Sequence, residues 1–239
     1  MKIILALLIF SLIVLFHEFG HFLLAKRGGI GVTEFSLGMG PRLFSKQIGE
    51  TRYSVKLLPF GGSCMMVGED GESNEENSFG SKSVWTRISV VAAGPIFNFI
   101  LAFFLSLFIV GSIGYDAPDI AAVMDGYPAA EAGMQPGDRI VQMNKTHIHV
   151  YREVSLYVQM HQGETVTVTY ERNGQRHAVT LEPKMSEYGT YLLGFQGSGV
   201  RTKGNVFQTV YYSAYEVKYW ISTTLKSLAM MFHGQVSAD

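Results

Sequence analysis

The chain has 239 residues, of which 47% are hydrophobic, and its 19 basic and 20 acidic side chains give a net charge of −1. The basic residues are scattered rather than clustered, which argues against a nucleic-acid partner. The single cysteine, Cys64, excludes an internal disulfide, so cysteine content does not identify a cellular compartment.

The first apolar segment is long enough to cross a membrane. Residues 3–16 contain one residue that is not apolar, Ser11, and with residues 22–25 the segment reaches about 23 residues, or roughly 35 Å as a helix. A cleaved signal peptide begins in a similar way, but it needs small residues at a cleavage site, whereas this segment continues into HEFGH. We therefore predict a retained transmembrane helix over residues 1–26.

A second apolar segment predicts another transmembrane helix over residues 90–114. It contains a Gly-Pro pair and one strongly polar side chain, Asn98, for which interhelical hydrogen bonding and a position facing an active site both stay open. Lys26 and Arg27 directly follow the first helix. The positive-inside rule therefore predicts that the segment between the helices is cytoplasmic and that the chain after the second helix is extracytoplasmic.

Three ionisable residues lie within the first predicted membrane helix. His17 and His21 are four residues apart, which places them on one helix face, one turn from each other. Two imidazoles at this spacing can bind one metal ion, and Glu18 beside them can take a proton from a metal-bound water. Ionisable groups are costly inside a bilayer and usually functional. The motif predicts a zinc site for peptide hydrolysis, with His17 and His21 as ligands and Glu18 as the catalytic base.

Further motifs accompany this helix: GMGP at residues 38–41, PFGG at 59–62 and GPIFN at 94–98. With them the chain resembles the site-2 proteases (peptidase family M50), which are intramembrane zinc metalloproteases, and among them the RseP-type bacterial enzymes. The resemblance implies a multi-pass protein of the bacterial inner membrane that cleaves transmembrane segments of membrane proteins, such as an anti-sigma factor, in regulated intramembrane proteolysis. Its active site would face the cytoplasmic side, and Asn98 would position the substrate or stabilise an oxyanion.

Residues 27–89, between the two helices, carry β-strand signals. Residues 33–37 and 52–58 are rich in strand-forming side chains and are separated by Gly-Pro and Gly-Glu turn signals, which predicts short β-hairpins. The resemblance implies a loop that re-enters the membrane and pairs with an extended substrate by strand addition. A structural cytoplasmic hairpin is the alternative.

Residues 115–187 predict a small soluble α+β domain, with alternating strands, an Asn-Gly hairpin turn and a helix over 151–162. The run AGMQPGD resembles PDZ domains of bacterial proteases, so we name this region the PDZ-like domain. The resemblance implies contact with a peptide or a periplasmic domain through a loop formed by Gly133, Met134, Gln135, Pro136, Gly137 and Asp138. Peptide binding and exclusion of folded substrates by size both stay open.

The last region, residues 188–239, predicts one amphipathic helix from about 205 to 232. Its apolar stripe suits the membrane interface or the surface of the protease core, and packing within the soluble domain is the alternative. The complete fold class is therefore a multi-pass α-helical membrane protein with a membrane-associated β-hairpin segment and a PDZ-like α+β domain.

A catalytic zinc needs three protein ligands, and the sequence supplies two clearly. In the family that the chain resembles, the third is an aspartate of a Leu-Asp-Gly motif on a later transmembrane helix, and this sequence has no such motif. We therefore expect a truncated chain with weak zinc binding and little or no protease activity. The alternative function is a membrane-tethered PDZ module that binds peptides without catalysis.

Overall fold

The computed structural model describes residues 2–69, 71 and 75–232, and it divides the chain into two compact units at residue 104. The end of the predicted C-terminal region, residues 233–239, lies outside the described residues. The first unit contains α1 (Lys2–Arg27), β1 (Val32–Ile48), β2 (Thr51–Met66) and most of α2 (Val84–Ile113). The elements of the second unit are β3 (Ile120–Val123), α3 (Pro128–Glu131), β4 (Arg139–Met143), β5 (Thr146–His147), α4 (Tyr151–Met160), β6 (Val166–Arg172), β7 (Gln175–Leu181), β8 (Lys184–Met185), β9 (Tyr191–Leu192), β10 (Phe195–Gly197) and α5 (Val206–Phe232).

Helices α1 and α2 are each long and apolar enough to cross a membrane. Helix α1 ends in two basic residues, whose positive charges stabilise the helix by interacting with the negative C-terminal end of its dipole. Helix α2 begins six residues before the predicted span, because the Ser83 hydroxyl accepts a hydrogen bond from the Thr86 N–H and caps the helix. The two helices approach closely at Gly20, where a Cβ atom would lie 2.6 Å from the Ala93 carbonyl oxygen.

Strands β1 and β2 form an antiparallel sheet in which both long strands bend. The bends fall at the two glycine-rich motifs, where Gly38 and Gly61 have φ angles of +84° and +81°, a region that L side chains rarely adopt. Because of the bends, residues 34–37 pair on one side with residues 62–65 and on the other with residues 52–55. Residues 62–66 thus form one edge of this sheet, and β1 and β2 are joined at the predicted Gly-Glu turn as one long hairpin rather than several short ones.

A buried carboxylate fixes the centre of this sheet. Glu34 is 4% exposed, and it accepts hydrogen bonds from Arg42 Nε (3.1 Å) and Nη2 (2.7 Å) and from the Ser54 hydroxyl. The hydrogen bonds from Arg42 lower the pKa of Glu34 from its ordinary 4.5 to about 2. The folded state therefore favours the ionised carboxylate.

This ion pair predicts acid lability of the β1–β2 sheet. Because the folded pKa lies below the unfolded value, the stabilisation is complete above about pH 4.5 and is lost as the pH falls towards about 2. Glu34→Gln lacks the titrating group and gives the matched reference. We expect hydrogen exchange of β1 and β2 amides to be slower in the wild type than in the variant at neutral pH, and the difference to vanish near pH 2. An equal difference at both pH values would contradict this.

The second unit is an α+β domain with a main hydrophobic core and a smaller cluster around Tyr115. Its main sheet has the order β5-β4-β6-β7, and β6 and β7 are joined by Asn173 and Gly174, both with positive φ, as an Asn-Gly hairpin requires. Strand β10 pairs with β3, and Phe195 belongs to the same buried core as Ile140. The PDZ-like domain therefore extends to Gly197, beyond the predicted end at residue 187.

Helix α5 packs on this domain through its polar and aromatic face. Tyr212 stacks on Tyr115 with ring centroids 3.6 Å apart, and Tyr215 stacks on His149 at 3.8 Å. Glu216 forms an ion pair with Arg152 of α4. The apolar stripe lies on the other side of the helix and is exposed, at Phe207, Val210, Ile221, Leu225, Leu228 and Phe232. Packing of this stripe within the soluble domain, one of the sequence alternatives, is therefore not what the structure has.

Candidate functional site

The two motif histidines converge on one point beside α2. The ring centroids of His17 and His21 are 4.8 Å apart. Gly94 faces them: a Cβ atom at this position would lie 2.6 Å from Nε2 of His17 and 2.5 Å from Nε2 of His21. Both Nε2 atoms therefore border one small space, which exists because residue 94 has no side chain.

The other ring nitrogens of the histidines are held by α2. Nδ1 of His21 lies 2.8 Å from the Val90 carbonyl oxygen, and Nδ1 of His17 lies 3.2 Å from Nδ2 of Asn98. Histidines that bind zinc usually donate their second N–H to a carbonyl or a carboxylate, which orients the ring. Imidazole donors that converge at one point, with their Nδ1 atoms held, fit a Zn²⁺ ion.

Glu18 lies next to this space and beside strand β2. A Cβ atom at Gly62 would lie 3.5 Å from Cγ of Glu18, and the Cys64 backbone N–H faces the Glu18 carboxylate. The Ser11 hydroxyl donates to the Pro59 carbonyl and fixes the same strand against α1. The arrangement brings a carboxylate, two imidazoles and the edge of a β-sheet together.

The described residues contain no group of three or more His, Cys, Asp or Glu side chains that could hold a metal ion. Cys64 is buried, and burial raises the pKa of its thiol to about 12. Within the part of the chain that the structure describes, the two histidines predicted as ligands therefore lie together without a third His, Cys, Asp or Glu that completes a metal-binding group.

The residues predicted to form a peptide-binding loop lie in the turn between α3 and β4. Asp138, which is 1% exposed, accepts hydrogen bonds from the Gln135 N–H and from Arg172 of β6. Burial by itself raises the pKa of Asp138, but these hydrogen bonds outweigh it and lower the pKa. The contacts that the structure gives this turn are internal to the domain.

A groove lies elsewhere on the PDZ-like domain. It has a volume of about 440 Å³ and runs between α4, with Tyr151, Val154 and Val158, and the segment of residues 189–196. Sequence reasoning missed it, because β9 and β10 have two and three residues and show no alternating pattern. A glycine flanked by apolar residues, Gly194 between Leu193 and Phe195, is the signal that could have pointed to it.

Comparison with known proteins identifies the class. The model of peptidase family M50 matches residues 5–239, and the chain belongs to this family, the site-2 proteases. A relative from Clostridium acetobutylicum, named as a zinc metalloprotease, is 35% identical over 238 residues, which are 99% of this chain and 70% of the relative. The zinc metalloprotease RasP of Bacillus licheniformis is 27% identical over 316 residues, with 98% and 75% of the two chains covered.

The family, the RseP-type relationship and the class of zinc metalloendopeptidase predicted from the sequence are therefore confirmed. Among solved structures, the PDZ domain of an SdrC-like protein from Listeria monocytogenes matches 37% of this chain and 94% of its own at 21% identity, with a TM-score of 0.32.

Proposed function

We propose that the protein cleaves transmembrane segments of membrane proteins, with its chemistry at His17, Glu18 and His21. The observation that carries the proposal is the convergence of both Nε2 atoms at Gly94, inside two helices that are apolar enough to cross a membrane. A site in such a helix is within reach of a peptide bond that lies in the bilayer. Regulated intramembrane proteolysis, for example of an anti-sigma factor, is the process that the family resemblance implies.

The residues of the site divide the work of hydrolysis. Zinc, when bound, activates a water and polarises the peptide carbonyl. His17 and His21 hold the ion, and the Glu18 carboxylate takes the proton of the attacking water and can return it to the leaving amine. We propose that an aspartate from outside the described residues is the third ligand. With only the two histidines as ligands, zinc binding is expected to be weak and protease activity low.

The edge of the β1–β2 sheet supplies a place for the substrate. Residues 62–66 pair with β1 on one side, and their Cys64 N–H faces Glu18. A transmembrane helix has to unwind before its peptide bonds can be cut, and strand addition replaces the hydrogen bonds that it loses. We propose that the unwound substrate lies along residues 62–66, next to the carboxylate.

The test of this function is cleavage of a single-span membrane protein by the protein as expressed from its complete gene (the gene-encoded protein), reconstituted in lipid vesicles. We expect one cut within the span, found by mass spectrometry, which disappears on chelation of zinc and returns when zinc is restored. A substrate whose span is replaced by a soluble linker is the control. Cuts in the linker only, or cuts that survive chelation, would contradict the proposal.

The membrane is also the partner that we propose for α5. The helix lies beside the end of α2, since Thr209 packs near Gly111 and Tyr212 stacks on Tyr115, directly after α2. Its polar face is fixed to the PDZ-like domain, so its exposed apolar stripe is left for the interfacial layer of the bilayer. We propose that the active site faces the cytoplasmic side of the membrane and that the PDZ-like domain is extracytoplasmic. The basic residues directly after α1 support this topology.

Spin labels at two adjacent positions of α5 test this contact. In a Cys64→Ala background, Leu225→Cys lies on the apolar stripe and Lys226→Cys lies on the face beside α4. In vesicles we expect the label at 225 to be relaxed mainly by oxygen, which concentrates in lipid, and the label at 226 mainly by a water-soluble nickel chelate. Equal, water-like responses at both positions would contradict a membrane contact.

The groove of the PDZ-like domain favours a second candidate function, a membrane-tethered module that binds peptides. Its apolar lining from α4 and residues 189–196 suits an extended peptide that adds to β10. Glu18 distinguishes the two functions, because proteolysis needs its carboxylate between the two histidines and peptide binding does not. Peptide binding that persists without any cleavage by the gene-encoded protein would favour the module.

A further inference from the structure

Among the described residues, Asn98 has one side-chain hydrogen-bond partner, and that partner is His17 of the proposed zinc site. Its Nδ2 atom lies 3.2 Å from Nδ1 of His17, while its Oδ1 atom is buried and has no hydrogen-bond partner among the described residues. Asn98 lies on α2, one turn after Gly94, so it reaches the back of the His17 ring while Gly94 faces its front. Asn98 therefore contacts the ring nitrogen of His17 that is opposite the proposed metal-binding nitrogen.

The partner of Nδ1 decides what the opposite nitrogen of the ring can do. A neutral imidazole carries one proton, so one ring nitrogen donates and the other accepts. For His21 the partner is the Val90 carbonyl, which accepts only, so Nδ1 carries the proton and Nε2 has a free lone pair. For His17 a donating Asn98 NH₂ group would put the proton on Nε2, which could not then bind a metal.

Rotation of the Asn98 amide by 180° removes this conflict. The two orientations of an amide group differ in whether its oxygen or its nitrogen faces the partner, and hydrogen bonding decides between them. After rotation, Oδ1 accepts from the Nδ1–H of His17, and both Nε2 lone pairs point to the space at Gly94. In either orientation, one of the two amide atoms lacks a partner among the described residues. The orientation is therefore decided by His17, which needs an acceptor for the proton on its Nδ1 atom if its Nε2 atom is to bind a metal.

We propose that Asn98 is a positioning residue that holds His17 in the Nδ1–H tautomer through its Oδ1 atom. Each zinc-site histidine then has an oxygen acceptor behind it, Val90 O for His21 and Asn98 Oδ1 for His17, which is the usual support of metal-binding imidazoles. This inference rests on the proposed zinc site but not on proteolysis, since the tautomer is a property of the metal-free protein.

The direct test is ¹⁵N NMR of the histidine side chains in the metal-free chain, at a pH where imidazole is neutral. We expect His17 to carry its proton on Nδ1, as His21 does with its carbonyl partner. His17 with the proton on Nε2 would overturn the proposal. Failure of the protease function would leave this result unchanged, so the two proposals fail separately.

Two variants separate an acceptor role from simple packing. Asn98→Asp keeps an oxygen acceptor and removes the donor, whereas Asn98→Leu keeps the size and removes both. We expect Asn98→Asp to preserve the Nδ1–H tautomer and the zinc affinity. Asn98→Leu should lose that tautomer preference and bind zinc about 10–100-fold more weakly in competition with a chelator. Appearance of the Nδ1–H tautomer in Asn98→Asp but not in the wild type would show that Asn98 donates, and would overturn the proposal.

Discussion

Replacement of Gly94 by alanine is expected to abolish zinc binding and proteolysis while helix α2 stays intact. The new Cβ would lie 2.6 Å and 2.5 Å from the two Nε2 atoms of His17 and His21, closer than any real Cβ contact. The rings must turn away, which displaces the atoms that we propose as ligands, and displacement of a reacting group by about 1 Å costs roughly 100-fold in rate. We expect at least this loss of cleavage, with zinc no longer retained on purification.

Gly111 on the same helix provides the matched control. A Cβ atom there would meet only Cγ2 of Thr209 at 3.7 Å, an ordinary van der Waals contact. Alanine is favoured over glycine in a helix by about 0.5–1 kcal/mol, so Gly111→Ala should fold and cleave like the wild type. If Gly94→Ala kept zinc and activity, the two histidines could not share a metal ion at this point.

The second large effect is expected for Glu18→Gln. Glutamine keeps the size of the side chain but cannot take a proton from water, and removal of a general base costs about 10²–10⁴-fold in rate. Zinc binding should persist, because His17 and His21, and not Glu18, are the ligands that we propose. The measurement is the initial rate of cleavage of the single-span substrate by the gene-encoded protein, together with its zinc content.

Glu50→Gln is the control for the loss of one negative charge, since Glu50 is exposed in the turn between β1 and β2. It should cleave at the wild-type rate. Cleavage by Glu18→Gln at the wild-type rate would rule out Glu18 as the base. Loss of zinc from Glu18→Gln would instead make Glu18 a ligand.

The chemistry of the site could be predicted from the sequence because it is local. His17, Glu18 and His21 lie within five residues of one helix, and the helical period alone places them together. The contact between Asn98 and His17 spans 81 positions along the chain and depends on how α2 packs against α1. No periodicity encodes such a contact, so the sequence predicted a polar role for Asn98 but not its partner.

The role of Gly94 was equally hidden in the sequence. In a sequence, a glycine in an apolar helix indicates only a tolerated residue or a close contact between helices. The positions of the two Nε2 atoms show that Gly94 leaves room for the space that both imidazoles border. In the β1–β2 sheet, the strand-forming residues were visible. The double pairing of residues 34–37 was not, because it follows from bends at Gly38 and Gly61 that bring distant parts of two strands together.

In the PDZ-like domain too, the sequence predicted the local elements but not the long-range pairing at the end of the domain. The long strands β6 and β7 and their Asn-Gly turn follow from an alternating pattern and a known turn preference. Strand β10 has three residues and joins the domain by pairing with β3, which lies about 75 positions earlier in the chain. Such a short strand has no pattern of its own, so the predicted boundary left out the segment that lines the groove.

The central claim is that Nε2 of His17 and Nε2 of His21 bind the same zinc ion. Zinc K-edge X-ray absorption of the gene-encoded protein measures this most directly, with His17→Ala, His21→Ala and the surface variant His177→Ala for comparison. We predict two imidazole ligands in the wild type and in His177→Ala, and loss of imidazole scattering and of bound zinc in each motif variant. A zinc spectrum that is unchanged in His17→Ala or His21→Ala would contradict the account.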